Sequence, residues 1–300
     1  MTIIQKIFSS ASEAMTFLER LASDDKKFVF RGHSKVDYQL QTTWRRHRSV
    51  PYAAWMTDID EMLEAFRTGL AKMGLTPFPG DGRQDWLEFG RHHGVPTPAL
   101  DFSYSPYVAL FFAFDGRRIN YKEPISDYVV VYALDVDALA TAWASRVGGP
   151  DKGSEDWYAA RDAFLRQDDD FFKDGFPVGE LKFLPQPGIH NHRMHRQLGC
   201  LLYDTVNLES AALNTLDPLI ESFSEPATHG DPSSPMPTAF RILIDVSCIS
   251  EVLSKLELMN INGASLYLSA DGVARDVVNA YNYNPKAMWL REIKFKPIVE

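Results

Sequence analysis

A few short stretches of this chain hold side chains able to do chemistry. Arg31-Gly32-His33 places a guanidinium, whose planar fork can hold a carboxamide, a carboxylate or a phosphate, directly ahead of a glycine. That glycine permits either positive φ or close approach of the backbone to a ligand, and the pair reads equally well as a turn glycine beside an exposed arginine. Arg91-His92-His93-Gly94 offers imidazoles that can exchange protons near neutral pH. Asp101-x-Ser103-x-Ser105-Pro106 follows with one carboxylate and two hydroxyls, any of which can also cap a helix that starts with proline. Trp44 to Arg48 is a basic cluster that fits either a phosphate or nucleic-acid contact or a solvated face. His190-x-His192-x-x-His195 has the spacing of a metal site, but no carboxylate or cysteine accompanies it. Arg193 and Arg196 would repel a cation, so this stretch suits an anion, beside Gln197 at the entrance to a strand-like run. Asp168 to Asp170 are three adjacent carboxylates that no regular element turns to one side, and they read as a solvated turn.

The elements that must position these groups can be read from hydrophobic spacing. Residues 9–22, within an N-terminal segment 1–27, repeat Met15, Leu18 and Leu21 as an amphipathic helix. Phe28-Val29-Phe30 predicts a strand that ends at Arg31. Helices are expected over 58–73 and 84–93; in the second, Trp86, Phe89 and His93 share one side, which brings His93 close to the buried face and turns His92 elsewhere. Gly94 suits a left-handed cap, and Pro96 with Pro98 forces an extended path through 95–100 into a capped helix over 107–114. Residues 128–134 form a strand apolar on both faces, followed by helices near 136–145 and 155–166 and an acidic, irregular stretch up to Gly188. Gln197 to Tyr203 and Arg241 to Val246 predict strands, with a helix near 208–223 and a Pro/Ser-rich surface loop over 224–238 between them. Ser247 is expected to cap a helix through Leu256, and a last strand falls within 288–298. Strands and helices mix without regular βαβ alternation, so the class is α+β, one large domain over 1–300.

Composition narrows the function classes. A hydrophobic content of 45% over 300 residues supports a sizeable core. With 31 basic and 40 acidic residues the net charge is −9, which excludes a general affinity for nucleic acid or anionic membrane and leaves only local basic patches for a polyanion. Cys200 and Cys248 lie in apolar runs, as buried reduced thiols do, and a cytoplasmic setting is expected. No apolar run approaches the ~18 residues that span a bilayer, and neither a dinucleotide fingerprint nor a phosphate loop is present.

Taken in order, Phe30-Arg31-Gly32, His93-Gly94-Val95-Pro96-Thr97, Leu100-Asp101, Ser105-Pro106-x-Val108-Ala109-Leu110-x-Phe112-Ala113, Arg193 with Gln197-x-Gly199, and Ser265-Leu266-Tyr267 before Asp271-Gly272 resemble the FRG domain. The resemblance runs from about Phe28 to Val278. The chain departs from the family's Gln-His-Tyr-Gly-x-Pro-Thr-Arg-Leu-Leu-Asp pattern at Arg91 and His93, and at Pro98 and Ala99, where Arg and Leu are usual. A basic residue is thus missing from the turn.

A more distant resemblance is to ADP-ribosyltransferases, carried by Arg31-Gly32, Ser103-x-Ser105 with Ala109-x-x-x-Ala113, and Gln197 before Leu201-Leu202-Tyr203. It implies a mixed, mainly antiparallel split sheet flanked by helices, and NAD as substrate, with no metal. On that resemblance Arg31 pairs with phosphate, the Gly32 backbone binds the carboxamide, and Ser103 or Ser105 positions the ribose. Gln197 stands where an acid is expected; it can bind a ribose hydroxyl but cannot stabilise a cation or act as a base. Asp101 is then the candidate for the missing charge and His93 for the acid/base. The function implied is modification of a protein or nucleic-acid target by a toxin or phage-defence effector, for which the partner to expect is an antitoxin. The alternatives are a non-enzymatic module sensing NAD or ADP-ribose, and a nucleic-acid-processing protein using Trp44 to Arg48.

Overall fold

The run Tyr128–Asp135 sets the architecture, because every residue after the first is buried and the side chains alternate between two cores. Val129, Val131 and Ala133 enter one, and Val130, Tyr132 and Leu134 the other. The computed structural model describes residues 3–24, 27–46, 57–75, 77, 80–117, 127–149, 151–168, 170–177, 179–188, 191–206, 216, 220 and 239–283. The expected helix over 208–223, the loop 224–238 and the strand within 288–298 fall outside these, apart from Leu216 and Ile220.

Seven strands form one mixed sheet: β1 (Ile3–Phe8), β2 (Phe28–His33), β3 (Ala99–Ser103), β4 (Tyr128–Asp135), β5 (Leu181–Leu184), β6 (Gly199–Asp204) and β7 (Ala239–Asp245), in the order β1-β7-β4-β2-β3-β6-β5. β1 runs parallel to β7; the other neighbours are antiparallel. β2 pairs with β4 along its whole length but meets β3 at a single residue pair, Phe30 opposite Ser103. Beyond that pair the two strands part, and Arg31 and Asp101 lie at the opening. The sheet is therefore one continuous surface with a narrow join, rather than two.

Helices cover both faces. On one face lie α1 (Ala11–Ser23), α5 (Pro106–Phe114) and a later helix, Ile249–Leu258, around Phe30, Phe111 and Phe114. On the other lie α6 (Val136–Val147) and α7 (Glu155–Leu165), which bury Trp143 and Phe164 against Val130 and Tyr132. A third core joins α2 (Thr43–Arg46), α3 (Thr57–Lys72) and α4 (Arg83–His92) to the β5–β6 end through Trp44, Leu63, Leu87 and Tyr203. α8 (His192–Arg196) precedes β6; Ile249–Leu258 is α9, and α10 (Gly263–Tyr267) and α11 (Ala270–Tyr283) follow it.

Several boundaries differ from expectation. β1 and β5 form where no strand was expected. β1 is an edge strand with three exposed residues, and β5 has only four residues. Asp101 and Ser103 lie within β3, not at the start of a helix, and Ser105 alone caps α5 by accepting from Val108 N–H at 3.3 Å. Ser247 does not cap α9; Asp245 accepts from the Ser247 N–H and closes a short 3-10 turn that leads into it. Both cysteines are free and buried, and among the described residues no helix is long and apolar enough to cross a membrane.

Candidate functional site

Arg31 is held on two sides. Its Nε donates to His33 Nε2 at 2.8 Å and one terminal nitrogen donates to the Asp101 carbonyl at 2.6 Å, across the opening between β2 and β3. His33 is itself buried edge-on to Tyr132 and keeps its Nδ1 without a hydrogen-bond partner. Burial, with Arg31 and Arg46 nearby, holds this imidazole neutral far below its ordinary range. Burial likewise brings the Arg31 guanidinium down to about 10, with Asp101 opposing the shift and Arg91 and Arg46 adding to it. Arg31 remains charged at neutral pH, and its second terminal nitrogen makes no hydrogen bond to another described residue.

Asp101 is gripped by Arg91 from α4, whose Nε donates to Oδ1 at 2.6 Å while Nη2 takes Oδ2. The other Arg91 nitrogen donates to the Thr97 hydroxyl and the Ala99 carbonyl. Arg91 thus brings to Asp101 the cation that Pro98 removes from the turn. Burial pushes the Asp101 carboxyl up, but the charge and hydrogen bonds of Arg91, then Arg31 and His92, outweigh it and hold the pKa at about 2. The side chain keeps 36% of its surface, so the ionised carboxylate is reachable from solvent.

The two histidines exchange the places expected for them. The buried side of α4 is Leu87, Glu88 and Gly90, so Trp86 and Phe89 lie only partly buried and His93 stacks outside on Phe89, 4.5 Å between ring centres. His92 faces the charges instead, with Nε2 buried near Asn191. Burial takes its pKa down to about 4; Arg193 and Arg91 assist, and Asp101 opposes.

Gln197, Ser103 and Ser105 form a structural chain. The Ser103 hydroxyl donates to the Gln197 carbonyl at 2.6 Å and accepts from the Ser105 N–H at 2.9 Å. Gln197, only 6% exposed, donates its side-chain N–H to the Leu266 carbonyl at 3.1 Å and so ties the end of α8 to α10. Gly32 has a packing reason for lacking a side chain: a Cβ there would fall 1.9 Å from the Ala109 carbonyl oxygen and 2.6 Å from the Ala113 nitrogen, backbone atoms of α5.

Arg193, from the stretch expected to suit an anion, is joined by residues that sequence did not single out as site residues. Arg193 of α8 sits over the Tyr267 ring, 4.6 Å from its centre, and Arg275 lies 5.3 Å from the same centre. The Tyr267 hydroxyl donates to Asp115 at 2.8 Å, and Asp115 also accepts from Arg275 and Asn279. Of the basic run, Trp44 is 2% exposed and Arg45 is buried in a two-pronged ion pair with Asp204 at 2.8 and 2.9 Å. Arg46 is exposed and adds charge near Arg31; His47 and Arg48 lie outside the described residues. His190 is also outside them, and among the described residues no three metal-ligating side chains converge.

A wide groove of about 1390 Å³ runs between α3, α4 and residues 167–188, but none of Arg31, Asp101, Ser103 or Gln197 lines it. Its arginines are paired with carboxylates, Arg83 with Asp60 and Arg67 with Glu64. Positive charge instead exceeds negative at the β2–β3 opening, where Arg31, Arg91 and Arg193 interact with the carboxylate of Asp101 and Arg46 adds charge near Arg31.

No curated protein and no solved structure matches the chain. Residues 26–122, which include Arg31, Arg91, His92, Asp101 and the whole of α5, match the FRG domain family.

Proposed function

We propose that the β2–β3 opening binds a phosphate-bearing nucleotide of the NAD or ADP-ribose class, and that the fold around it is ADP-ribosyltransferase-like. The carrying observation is Arg31, fixed through His33 and the Asp101 carbonyl with one terminal nitrogen unbonded among the described residues, in a local excess of positive charge on a chain of net charge −9. A guanidinium so fixed loses little freedom on taking a phosphate. The buried engagement of Gln197 with Leu266 favours binding over turnover, because the residue that stands in the place of an acid already serves as a tie between helices.

One observation favours a transferase as the second reading: Asp101 is ionised, partly open and adjacent to the neutral His92. Breaking the ribose–nicotinamide bond sends its electron pair to the nicotinamide nitrogen and leaves an oxocarbenium-like carbon. A nearby carboxylate would stabilise that carbon, and a neutral imidazole could take the proton of the incoming acceptor.

Calorimetry with NAD and ADP-ribose on the wild type and Arg31→Ala, followed by assay of released nicotinamide, tests both readings. Expected are binding by the wild type, at least about tenfold weaker binding by Arg31→Ala, and no gain of nicotinamide release in Gln197→Glu. A folded wild type that binds neither nucleotide overturns the binding reading. Release of nicotinamide that disappears in Asp101→Asn selects the transferase.

A further inference from the structure

Among the described residues the half-buried guanidiniums are engaged by oxygen, with one exception. Arg45 holds Asp204 and the Val206 carbonyl. Arg91 holds Asp101, Thr97 and Ala99, and Arg241 holds Gln5 and the Val36 carbonyl. Arg117 also has an unpartnered Nε, but it pairs with Asp127. Arg193 makes no hydrogen bond or ion pair with another described residue through its side chain; its Nε is buried without a partner, and its contact is the face of Tyr267. Buried donors in native proteins are nearly always satisfied, and five N–H groups arranged as a planar fork match the oxygens of a phosphate.

The parts around Arg193 hold it in place. Asn191 caps α8 by accepting from Met194 N–H at 3.0 Å, and its amide donates to the buried Glu88 at 2.6 Å. Gln197 fastens the other end of α8 to the Leu266 carbonyl. The Tyr267 ring under the guanidinium is fixed by its hydroxyl on Asp115, and α10 is fixed by Asp276, which accepts from the N–H groups of Gly263 and Ala264. An aromatic face steadies a cation without neutralising it or occupying its N–H edge. The Asp101 carboxylate is near enough to attract Arg193 but is already gripped by Arg91.

We infer that Arg193, presented by Tyr267 and attracted by the same Asp101 carboxylate as Arg31, is a second phosphate-receiving cation of the site. The inference rests on the nucleotide reading for the identity of the ligand, though not for its phosphate. The test is calorimetry with inorganic pyrophosphate, ADP-ribose and adenosine on the wild type, Arg193→Ala, Arg193→Lys and Arg31→Ala, with melting temperatures of each protein alone and with ligand. Arg193→Ala should weaken ADP-ribose and pyrophosphate at least about tenfold while leaving adenosine unchanged, with Arg193→Lys between. Removal of an unpaired buried cation should leave the unliganded melting temperature unchanged or raised, and the stabilisation by ligand should be lost. Wild-type affinity for ADP-ribose in Arg193→Ala, or a melting temperature lowered without ligand, overturns the inference. Arg193-dependent binding of pyrophosphate without binding of NAD or ADP-ribose removes the nucleotide reading and leaves Arg193 in its role. Arg31-dependent binding of ADP-ribose that is indifferent to Arg193 does the reverse, and a folded protein that binds none of the three overturns both.

Discussion

His92 shows how a single residue's surroundings decide its charge. Burial and the neighbouring Arg193 and Arg91 lower its pKa to about 4 despite Asp101. Between an unfolded value of about 6.5 and the folded one, the unfolded chain binds more protons, so stability is full above that range and declines as pH falls through it. His92→Gln should therefore match the wild type near pH 7 and lose less stability on acidification, by roughly 1–2 kcal/mol, in urea unfolding followed from neutral to mildly acidic pH. Parallel wild-type and variant curves would show that His92 is not held neutral. His33, displaced in the same direction, leaves a residual slope. The sequence misplaced this pair of histidines for a physical reason: the buried stripe of α4 includes Glu88, 1% exposed and satisfied by Gln84, Gly188 and Asn191, so apolar spacing followed Trp86 and Phe89 to the wrong side. Arg31 and Asp101 were legible as candidates, Arg31 for a phosphate and Asp101 for the negative charge that Gln197 lacks. That Arg91 would grip Asp101 depends on how α4 and β3 meet, which spacing does not encode.

Among elements, the contact between α5 and β2 is the most exacting. Gly32 lets the helix backbone rest on the strand, and an added methyl group would meet main-chain atoms that cannot swing aside. Gly32→Ala should cost about 3 kcal/mol or more, at the upper end for overpacking, seen as a lower urea midpoint with an unchanged denaturant slope. A loss below about 0.5 kcal/mol, the scale of ordinary surface substitutions, would show that α5 does not sit so close. The helix itself was readable from Ser105, Pro106 and the apolar run behind them, as was β4 from its continuous burial. β1 and β5 were not. β1 is defined by pairing with β7 more than two hundred residues later, and its pattern alone, Ile-Ile-Gln-Lys-Ile-Phe, does not distinguish an edge strand from a flanking coil.

For the molecule as a whole, the contrast is between a net charge of −9 and a concentrated positive site where β2 parts from β3. Of the basic run that sequence offered as a nucleic-acid contact, Trp44 joins the third core, Arg45 is paired with Asp204 and Arg46 is exposed, while His47 and Arg48 lie outside the described residues. The proposed phosphate site is a cation cluster a few side chains wide on a chain of net charge −9, which favours one or two phosphates over a longer polyanion. ADP-ribose affinity should fall only a few-fold between about 50 and 200 mM salt, because two phosphates release few counterions, whereas a protein gripping six or more phosphates would lose about a thousandfold. Fluorescence anisotropy with a labelled single-stranded and a labelled duplex oligonucleotide should show no saturable binding at about 150 mM salt, where screening extends roughly 8 Å. Saturable oligonucleotide binding that steepens with falling salt and disappears in Arg46→Ala would mean that the exposed basic edge continues beyond the described residues as a nucleic-acid track. The site between Arg31 and Arg193 would then be one end of that track rather than a pocket for a small molecule.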